Sequence, residues 1–258
     1  MPSPAIFTSV INSYLPEPHA SLLNGIIFGI NLKTSYDFYE RIKMVGLLHI
    51  VVLSGINITL LAVVAGNLTQ FLGKRLSILI TILIVILFIF FVGPKAPIVR
   101  AGFMGILTFV GILTERKTYV FFSLILSLFF IFIFWPHWLK TVSLQLSYGA
   151  TLGLILFGQT KSANWLWKNF ITSLAAQVFT APTIFIYFKQ LSLISPLSNV
   201  LVAEIIPALM VFGFLTAILG KINYYLGYLP AMICYGLLTY LVWIIETLSK
   251  LPFAFYQF

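Results

Sequence analysis

The sequence predicts an all-α, polytopic integral membrane protein with about eight transmembrane helices, several broken or kinked, and a short N-terminal interfacial helix. The first reason is composition: 60% of the 258 residues are hydrophobic and 8% are charged. A soluble domain carries about 25% charged residues, so this chain has too little charge to cover a surface that faces water. The second reason is the series of long apolar segments, whose short polar links leave no room for a soluble domain between them.

Two parts follow from the order of these segments. Residues 1–43 form a lead-in, in which SLLNGIIFGI at 21–30 is too short to span and predicts an interfacial or re-entrant helix before a polar stretch. Residues 44–258 form the transmembrane domain, because a spanning helix needs about 20 mostly apolar residues. The candidate spans are 44–71, 76–92, 97–113, 118–135, 141–158, 167–188, 195–219 and 228–249.

The stretch GLLHIVVLSGINITL, residues 46–60, places polar groups inside the first span. Ser54 and Gly55 predict a break in the helix, because Gly weakens a helix by about 1 kcal/mol relative to Ala. Asn57 shares a helix face with Ser54, whereas His49 lies roughly 140° away from Ser54 at 100° per residue. Packing between helices explains such residues, and a wet pathway explains them equally well. Both interpretations stay open.

The stretch GPKAPIVRAGFM, residues 93–104, places Arg100 a few residues inside the third span. Its long side chain suits snorkelling, in which the charge reaches the lipid headgroups from a helix end. The alternative is a cation at the mouth of a channel or substrate path. The stretch by itself favours neither interpretation.

The stretch SLQLSYGATLG, residues 143–153, carries Gln145 and Ser147 beside small residues. An amide such as that of Gln145 is costly in lipid, so we expect it to face protein or water. Gly149 and Gly153 have the G-x-x-x-G spacing that lets two helices approach closely. We therefore expect a tight helix contact at this point.

Two later spans combine prolines with polar side chains. Gln177 precedes Pro182 in one span, and Asn199 and Glu204 precede Pro207 in the next. A proline inside a helix removes a backbone hydrogen bond and predicts a kink. Broken helices that carry polar groups are typical of sites that move polar solutes across a membrane.

Glu204 is a carboxylate several residues inside a predicted span. Such residues are rare in membrane segments and are functional-site hypotheses by default. The expected partners of this carboxylate are Arg100 or His49 from other spans.

The remaining composition limits the classes of function. The net charge of +9 reflects either cytoplasmic loops rich in Lys and Arg or a polyanionic partner such as nucleic acid. The single cysteine, Cys234, excludes an internal disulfide, and its apolar surroundings predict a small buried side chain. The histidines lie far apart, and no metal-ligand spacing or P-loop occurs. We therefore predict no metal, no cofactor and no ATP hydrolysis by a P-loop.

The four polar stretches together match one known pattern in collinear order, from about Leu15 to Pro252. The matching residues are His49, Ser54, Gly55 and Asn57; Pro97, Arg100, Ala101 and Met104; Gln145, Leu146, Ser147 and Ala150; and Gln177, Pro182, Phe188, Ser195, Asn199 and Pro207. In this order they resemble the ComEC-type competence domain, the membrane channel of bacterial DNA uptake. The upstream stretch LPEPHASLLNGIIFG also resembles the lead-in of that family. Glu204 departs from the pattern, because the family usually carries an apolar or small residue there.

The resemblance implies a multi-pass channel in the bacterial inner (cytoplasmic) membrane that translocates single-stranded transforming DNA during natural competence. It implies as partners the lipid bilayer, the DNA strand, a DNA receptor and a helicase or ATPase. Full-length relatives carry a soluble nucleic-acid-binding-like domain and often a metallo-β-lactamase-like domain; this sequence contains neither, so we expect a separate nuclease or DNA-binding protein as a further partner. The residues expected to line the DNA pathway are His49, Ser54, Gly55, Asn57, Arg100, Gln145, Ser147, Gln177, Asn199 and Glu204.

Two other functions are compatible with the same polar residues. One is a small-solute or ion-coupled permease that uses Glu204 as its proton or cation site. The other is an intramembrane hydrolase with Ser54 as nucleophile and His49 as base, which the angle of roughly 140° between them on a regular helix disfavours. We therefore expect a protein that is not an enzyme.

Overall fold

The computed structural model describes residues 4–51, 55–158, 164–251 and 255–257. Within these ranges the chain forms thirteen α-helices and one pair of three-residue strands, which confirms the all-α prediction. The helices are α1 (Ala5–Tyr14), α2 (His19–Phe28), α3 (Tyr36–Met44), α4 (Leu48–Val51), α5 (Gly55–Thr69), α6 (Lys74–Val92), α7 (Ala96–Leu113), α8 (Val120–Phe134), α9 (Val142–Phe157), α10 (Trp165–Phe188), α11 (Ser195–Ala203), α12 (Ile205–Ile222) and α13 (Tyr224–Leu248).

The polytopic character of the chain is also confirmed. Five helices in the described ranges, α6, α7, α10, α12 and α13, are long and apolar enough to cross a membrane. Helices α8 and α9 are equally apolar in character but shorter, at 15 and 16 residues. Six of the eight predicted spans therefore coincide with single helices, and the other two are divided.

The span predicted at 44–71 is divided near its start. Helix α3 ends at Met44 and α4 begins at Leu48, and the turn between them contains Gly46 with a φ of +76°. The turn packs against the start of α11, where a Cβ on Gly46 would lie 2.6 Å from the Cβ of Ser195. The break predicted at Ser54 falls outside the described residues, so it stays a prediction.

The span predicted at 195–219 is divided at Glu204, between α11 and α12. Pro207 explains the division, because it lies four residues after Ala203 and has no N–H to donate to that carbonyl. A continuous helix would lack the hydrogen bond from residue 207 to the Ala203 carbonyl, and Ala203 is the last residue of α11. Pro182 lies inside the continuous helix α10, which does not break there, and the kink predicted from it stays a prediction.

Helix α2 lies in the protein interior. All ten of its residues are buried, and it packs against α1, α4, α12 and α13. All of its faces are covered by protein, and its depth in the membrane, interfacial or re-entrant, stays a prediction. Gly29 ends the helix in the left-handed conformation, with a φ of +63°.

The main hydrophobic core joins the beginning of the chain to its end. Side chains of α1 to α4, such as Ile11 and Leu22, pack with those of α12 and α13, such as Leu209 and Leu241. Cys234 belongs to this core and is fully buried, as its apolar surroundings predicted. The proposed boundary between residues 43 and 44 stays a prediction.

Helices α9 and α10 pack in close contact through two glycines. A Cβ on Gly153 would lie 2.3 Å from the Ala175 carbonyl oxygen, and one on Gly149 would lie 3.1 Å from that of Phe179. This contact confirms the close approach that the G-x-x-x-G spacing predicts. It holds α9, which carries the predicted site residues Gln145 and Ser147, against α10, which carries Gln177.

Helices α1 and α3 are not among the predicted elements. Helix α3 forms within the polar stretch before the first span, where the Ser35 hydroxyl accepts a hydrogen bond from the Phe38 amide at 3.3 Å. Asp37 in its first turn and Arg41 and Lys43 in its last turn complement the helix dipole. The two strands, β1 (Gln190–Ser192) and β2 (Phe255–Gln257), pair antiparallel and join the α10–α11 link to the C-terminal residues.

Candidate functional site

Arg100 lies in the second turn of α7 and is buried where this helix meets α9 and the start of α5. Its side chain is 8% exposed. Nη1 donates a hydrogen bond to the Thr151 hydroxyl and lies 3.8 Å from the Met104 sulfur. The guanidinium carbon lies 5.8 Å from the centroid of the Tyr148 ring. The cation therefore points into the protein, and the snorkelling interpretation is wrong.

The hydroxyl groups around Arg100 have defined hydrogen-bond directions. Thr151 Oγ1 donates its hydrogen to the Ser147 carbonyl at 2.9 Å, so only its lone pairs face the guanidinium. Ser127 Oγ donates to the Leu124 carbonyl at 2.7 Å. The Tyr148 hydroxyl, 2.8 Å from Ser127 Oγ, therefore donates to it. Arg100 faces oriented dipoles and an aromatic ring.

Among the residues that the structure describes, no carboxylate forms an ion pair with Arg100. The ion pairs between described residues are Arg41 with Glu246 at 3.9 Å and Lys43 with Glu40 at 3.4 Å. The Nε atom of Arg100 is also buried, and no described residue accepts a hydrogen bond from it. The Arg100 cation is therefore uncompensated within the described residues. Removing such a charge from water costs several kcal/mol.

Glu204 does not pair with Arg100 or His49, and the predicted pairing is wrong. Its side chain is exposed in the one-residue gap between α11 and α12. The gap opens because Pro207 has no N–H to donate to the Ala203 carbonyl. His49 is exposed as well, and its Nδ1 donates to the Gly46 carbonyl at 2.9 Å.

Gly55, the first residue of α5, lies directly beside Arg100. A Cβ at this position would lie 3.0 Å from the Cβ of Ala101 and 3.4 Å from Nη2 of Arg100. The absence of a side chain at residue 55 therefore lets the backbone of α5 pack closely against Arg100 and Ala101. Ser54, the preceding predicted residue, lies outside the described residues.

Asn57 has a structural role that its sequence pattern did not reveal. It is 1% exposed, and its Nδ2 donates to the Ile26 carbonyl at 2.6 Å. That carbonyl belongs to the last turn of α2, where helix carbonyls lack intrahelical partners. Lys95 Nζ donates to the nearby Gly29 carbonyl at 2.7 Å. Asn57 and Lys95 together cap the buried end of α2.

Gln177 and Asn199 lie in a second polar group at the contact of α10 and α11. Gln177 Nε2 donates to the Ser192 carbonyl at 2.6 Å, and Asn199 Nδ2 donates to Ser173 Oγ at 2.8 Å. The amide oxygens of both residues are buried and accept no hydrogen bond from the described part of the chain. Ser192 Oγ in turn donates to the Met44 carbonyl at 2.7 Å, which ties this group to the turn after α3.

Gln145 and Ser147 occupy the first turns of α9. Gln145 Nε2 donates to the Leu139 carbonyl at 3.3 Å, so it faces protein as expected. The Ser147 carbonyl accepts the hydrogen bond from Thr151 Oγ1, and the residues on either side of it, Leu146 and Tyr148, are half-buried. These two residues support the α9 end of the Arg100 site.

Three residues of this site, Thr151, Tyr148 and Ser127, are not among the predicted site residues. Thr151 and Tyr148 lie in the same SLQLSYGATLG stretch, and a polar stripe at positions 147, 148 and 151 is the signal that could have identified them. Ser127 lies in an otherwise apolar helix and carries no such signal. Its role depends on the packing of α8 against α9.

A cavity of about 550 Å³ is lined by none of the predicted site residues that the structure describes. Glu17, Lys33, Asp37, Arg41 and Glu246 are among the residues that line it, at the ends of α2, α3 and α13. The predicted residues that the structure describes lie at helix contacts and turns instead. Among described residues, no group of three His, Cys, Asp or Glu is arranged to hold a metal ion.

Comparison with known families matches most of the chain. The family model described as "Competence protein" matches residues 26–258, a range that includes Arg100 and the other predicted site residues. The chain belongs to the Competence protein family. The resemblance inferred from the four polar stretches is thereby confirmed at the level of the family.

Two relatives place this Competence family member among longer proteins. It is 26% identical over 200 residues to ComE operon protein 3 of Bacillus subtilis (strain 168), which covers 75% of this chain and 25% of that protein. It is 28% identical over 197 residues to an uncharacterized protein of Aquifex aeolicus (strain VF5), which covers 73% of this chain and 45% of that protein. The chain thus spans less than half the length of either relative. No solved structure matches it.

Proposed function

We propose that this Competence family member forms a conduit for single-stranded transforming DNA across the bacterial cytoplasmic membrane. The uncompensated, buried charge of Arg100 is the observation that carries the proposal. An ionisable residue inside membrane helices is costly and usually marks a functional path. A polyanionic strand is a partner that would compensate this cation as it passes.

The groups around Arg100 suit the chemistry of a single strand. Conduits for single-stranded DNA combine cations that contact phosphates with aromatic rings on which bases stack. Arg100 provides the cation, and Tyr148 provides a ring beside it. The polar group at Gln177 and Asn199 offers buried amide oxygens that would accept hydrogen bonds from bases.

The proposed conduit makes and breaks no covalent bond and does not move the strand by itself. No P-loop occurs in the sequence, so the driving force would come from a separate helicase or ATPase. A DNA receptor would deliver the strand, and a separate nuclease or DNA-binding protein would complete the machinery. We place the chain in the cytoplasmic membrane as a multi-pass protein, with the bilayer around its apolar helices.

The test is the uptake of fluorescently labelled DNA by competent cells that carry the wild-type chain, a deletion, or point variants. Arg100→Gln should lower uptake by about 10-fold or more, because a charge-assisted hydrogen bond is worth about 1.5–3 kcal/mol. Arg100→Lys keeps the charge and should retain more uptake than Arg100→Gln. Undiminished uptake in the deletion strain would refute the proposal.

Glu204→Gln separates the conduit from the permease alternative. The exposed Glu204 carboxylate has no ion-pair partner within 4.0 Å among described residues and lies away from Arg100, so DNA uptake should persist after the substitution. A permease that uses this carboxylate would lose its transport while Arg100→Gln left that transport intact.

A further inference from the structure

Helix α8 is polar on its buried side and apolar on its exposed side. Ser123 and Ser127 are among its buried residues, whereas all of its exposed residues are apolar. A helix that borders water shows the opposite pattern. A contiguous exposed apolar face, on a chain that also has helices able to cross a membrane, marks contact with lipid. We therefore expect acyl chains to cover the outer face of α8.

An apolar groove of about 290 Å³ lies on this outer face. It is lined by Leu128, Phe129 and Phe132 of α8 and by Leu139, which follows the helix. Leu128 precedes the last residue of α8 by six positions. At 1.5 Å per residue, the groove thus extends about 9 Å along the helix from its C-terminal end. An entirely apolar, elongated groove of this kind suits a segment of one acyl chain.

The wall that Leu139 contributes is held in place by neighbouring side chains. Leu139 belongs to the 3₁₀ turn Pro136–Lys140 and packs into a cluster with the buried residues of α8 and α9. Its carbonyl accepts a hydrogen bond from Gln145 Nε2 at 3.3 Å. In the same turn, the Trp138 ring stacks on the Trp135 ring with 4.9 Å between centroids. The groove therefore has a preformed shape, which lowers the entropic cost of binding.

The turn Pro136–Lys140 also carries the groups that are typical of the lipid headgroup region. Tryptophans such as Trp135 and Trp138 are enriched where a membrane meets water. Lys140 directly follows Leu139, is exposed, and forms no ion pair with the described part of the chain. A cation at this depth attracts an anionic headgroup. The groove and Lys140 together present an apolar surface and a positive charge, as an anionic phospholipid requires.

We propose that the groove between α8 and Leu139 is a binding site for one acyl chain of an anionic phospholipid, whose phosphate contacts Lys140. Burial of methylene groups against the four apolar side chains stabilises the chain in the groove. The charge of Lys140 selects the headgroup. This site goes beyond the proposed conduit, because it requires neither DNA nor Arg100.

Native mass spectrometry of the purified full chain, released from detergent micelles, tests the site. Phosphatidylglycerol and phosphatidylcholine with identical acyl chains are titrated separately. We expect one retained phosphatidylglycerol, bound about 5-fold more tightly than phosphatidylcholine, because one cation favours an anionic headgroup by roughly that factor. Absence of any retained lipid would overturn the site, and equal affinities for the two lipids would overturn the role of Lys140.

Two leucines of α8 provide a matched pair for the groove. Leu128→Gln places an amide in the groove and should weaken the binding of both lipids by about 10-fold, because the amide loses its hydrogen bonds when an acyl chain covers it. Leu126→Gln is the control, since Leu126 is exposed on the same helix but does not line the groove. Equal binding by the two variants would overturn the groove as the site.

A pair of lysine variants tests the headgroup contact separately. Lys140→Gln should lower the affinity for phosphatidylglycerol to that for phosphatidylcholine, whereas Lys117→Gln, near the other end of α8, should leave both affinities unchanged. Equal losses in the two variants would overturn the contact with Lys140. A doubled mass without bound lipid would show that a second copy of the chain covers the groove, which would also overturn the proposal.

Discussion

Single polar residues in the apolar helices have two distinct roles. Arg100 is buried with no ion-pair partner among the described residues, whereas the Asn57 amide completes the hydrogen bonds of another helix. Both residues were recognisable in the sequence as polar positions in apolar runs. Their roles were not, because the partner of Asn57 is a backbone carbonyl 31 residues away, and no side-chain pattern marks a carbonyl.

The role of Asn57 leads to a prediction about stability. Asn57→Leu should lower the free energy of unfolding by about 1–3 kcal/mol, because the buried Ile26 carbonyl loses its donor. The measurement is chemical denaturation of the purified chain in detergent, followed by tryptophan fluorescence. Gln145→Leu, which loses a longer bond of 3.3 Å at a half-buried position, is the control and should cost less.

The opposite result for Asn57 would also be informative. If Asn57→Leu unfolds like the wild type but abolishes DNA uptake, the amide acts on the strand and not on α2. The structural role assigned to Asn57 would then be wrong.

At the scale of the helices, the sequence predicted where most helices lie along the chain, but not which of them are buried. Length and apolar content located α6 to α10, and the missing N–H of Pro207 explains the end of α11. The burial of α2 could not be predicted, because its ten residues show only that it is too short to span. Helix α3 was missed because its sequence is polar and its Ser35 cap is a weak signal.

The close contact of α9 and α10 gives a prediction at this scale. Gly153→Ala should destabilise the chain by about 1–3 kcal/mol, because the added Cβ would lie 2.3 Å from the Ala175 carbonyl oxygen. Gly105→Ala should instead be neutral or stabilising by up to about 1 kcal/mol, because Ala favours the helix and meets no atom there. Thermal unfolding of the two variants under one set of conditions makes the comparison. A stable Gly153→Ala variant would contradict the packing described for these helices.

At the scale of the whole molecule, the first four helices and the last two form a common core. This arrangement could not be predicted from the sequence, because it depends on packing between segments about 200 residues apart. It leaves α5, α7 and α9 to surround Arg100, with α10 closing on α9 through its glycine contact. The proposed path for DNA therefore follows the α7–α9 contact, separate from the core that holds the ends of the chain together.

The most direct test of this path is site-specific photo-crosslinking to a labelled single strand halted during uptake. Benzoylphenylalanine replaces either Tyr148, beside Arg100, or Tyr225, which is 83% exposed at the start of α13. The account predicts a crosslink from position 148 that is lost with Arg100→Gln, and little crosslinking from position 225. Equal crosslinking from both positions, or none from position 148 while uptake proceeds, would contradict a DNA path along Arg100.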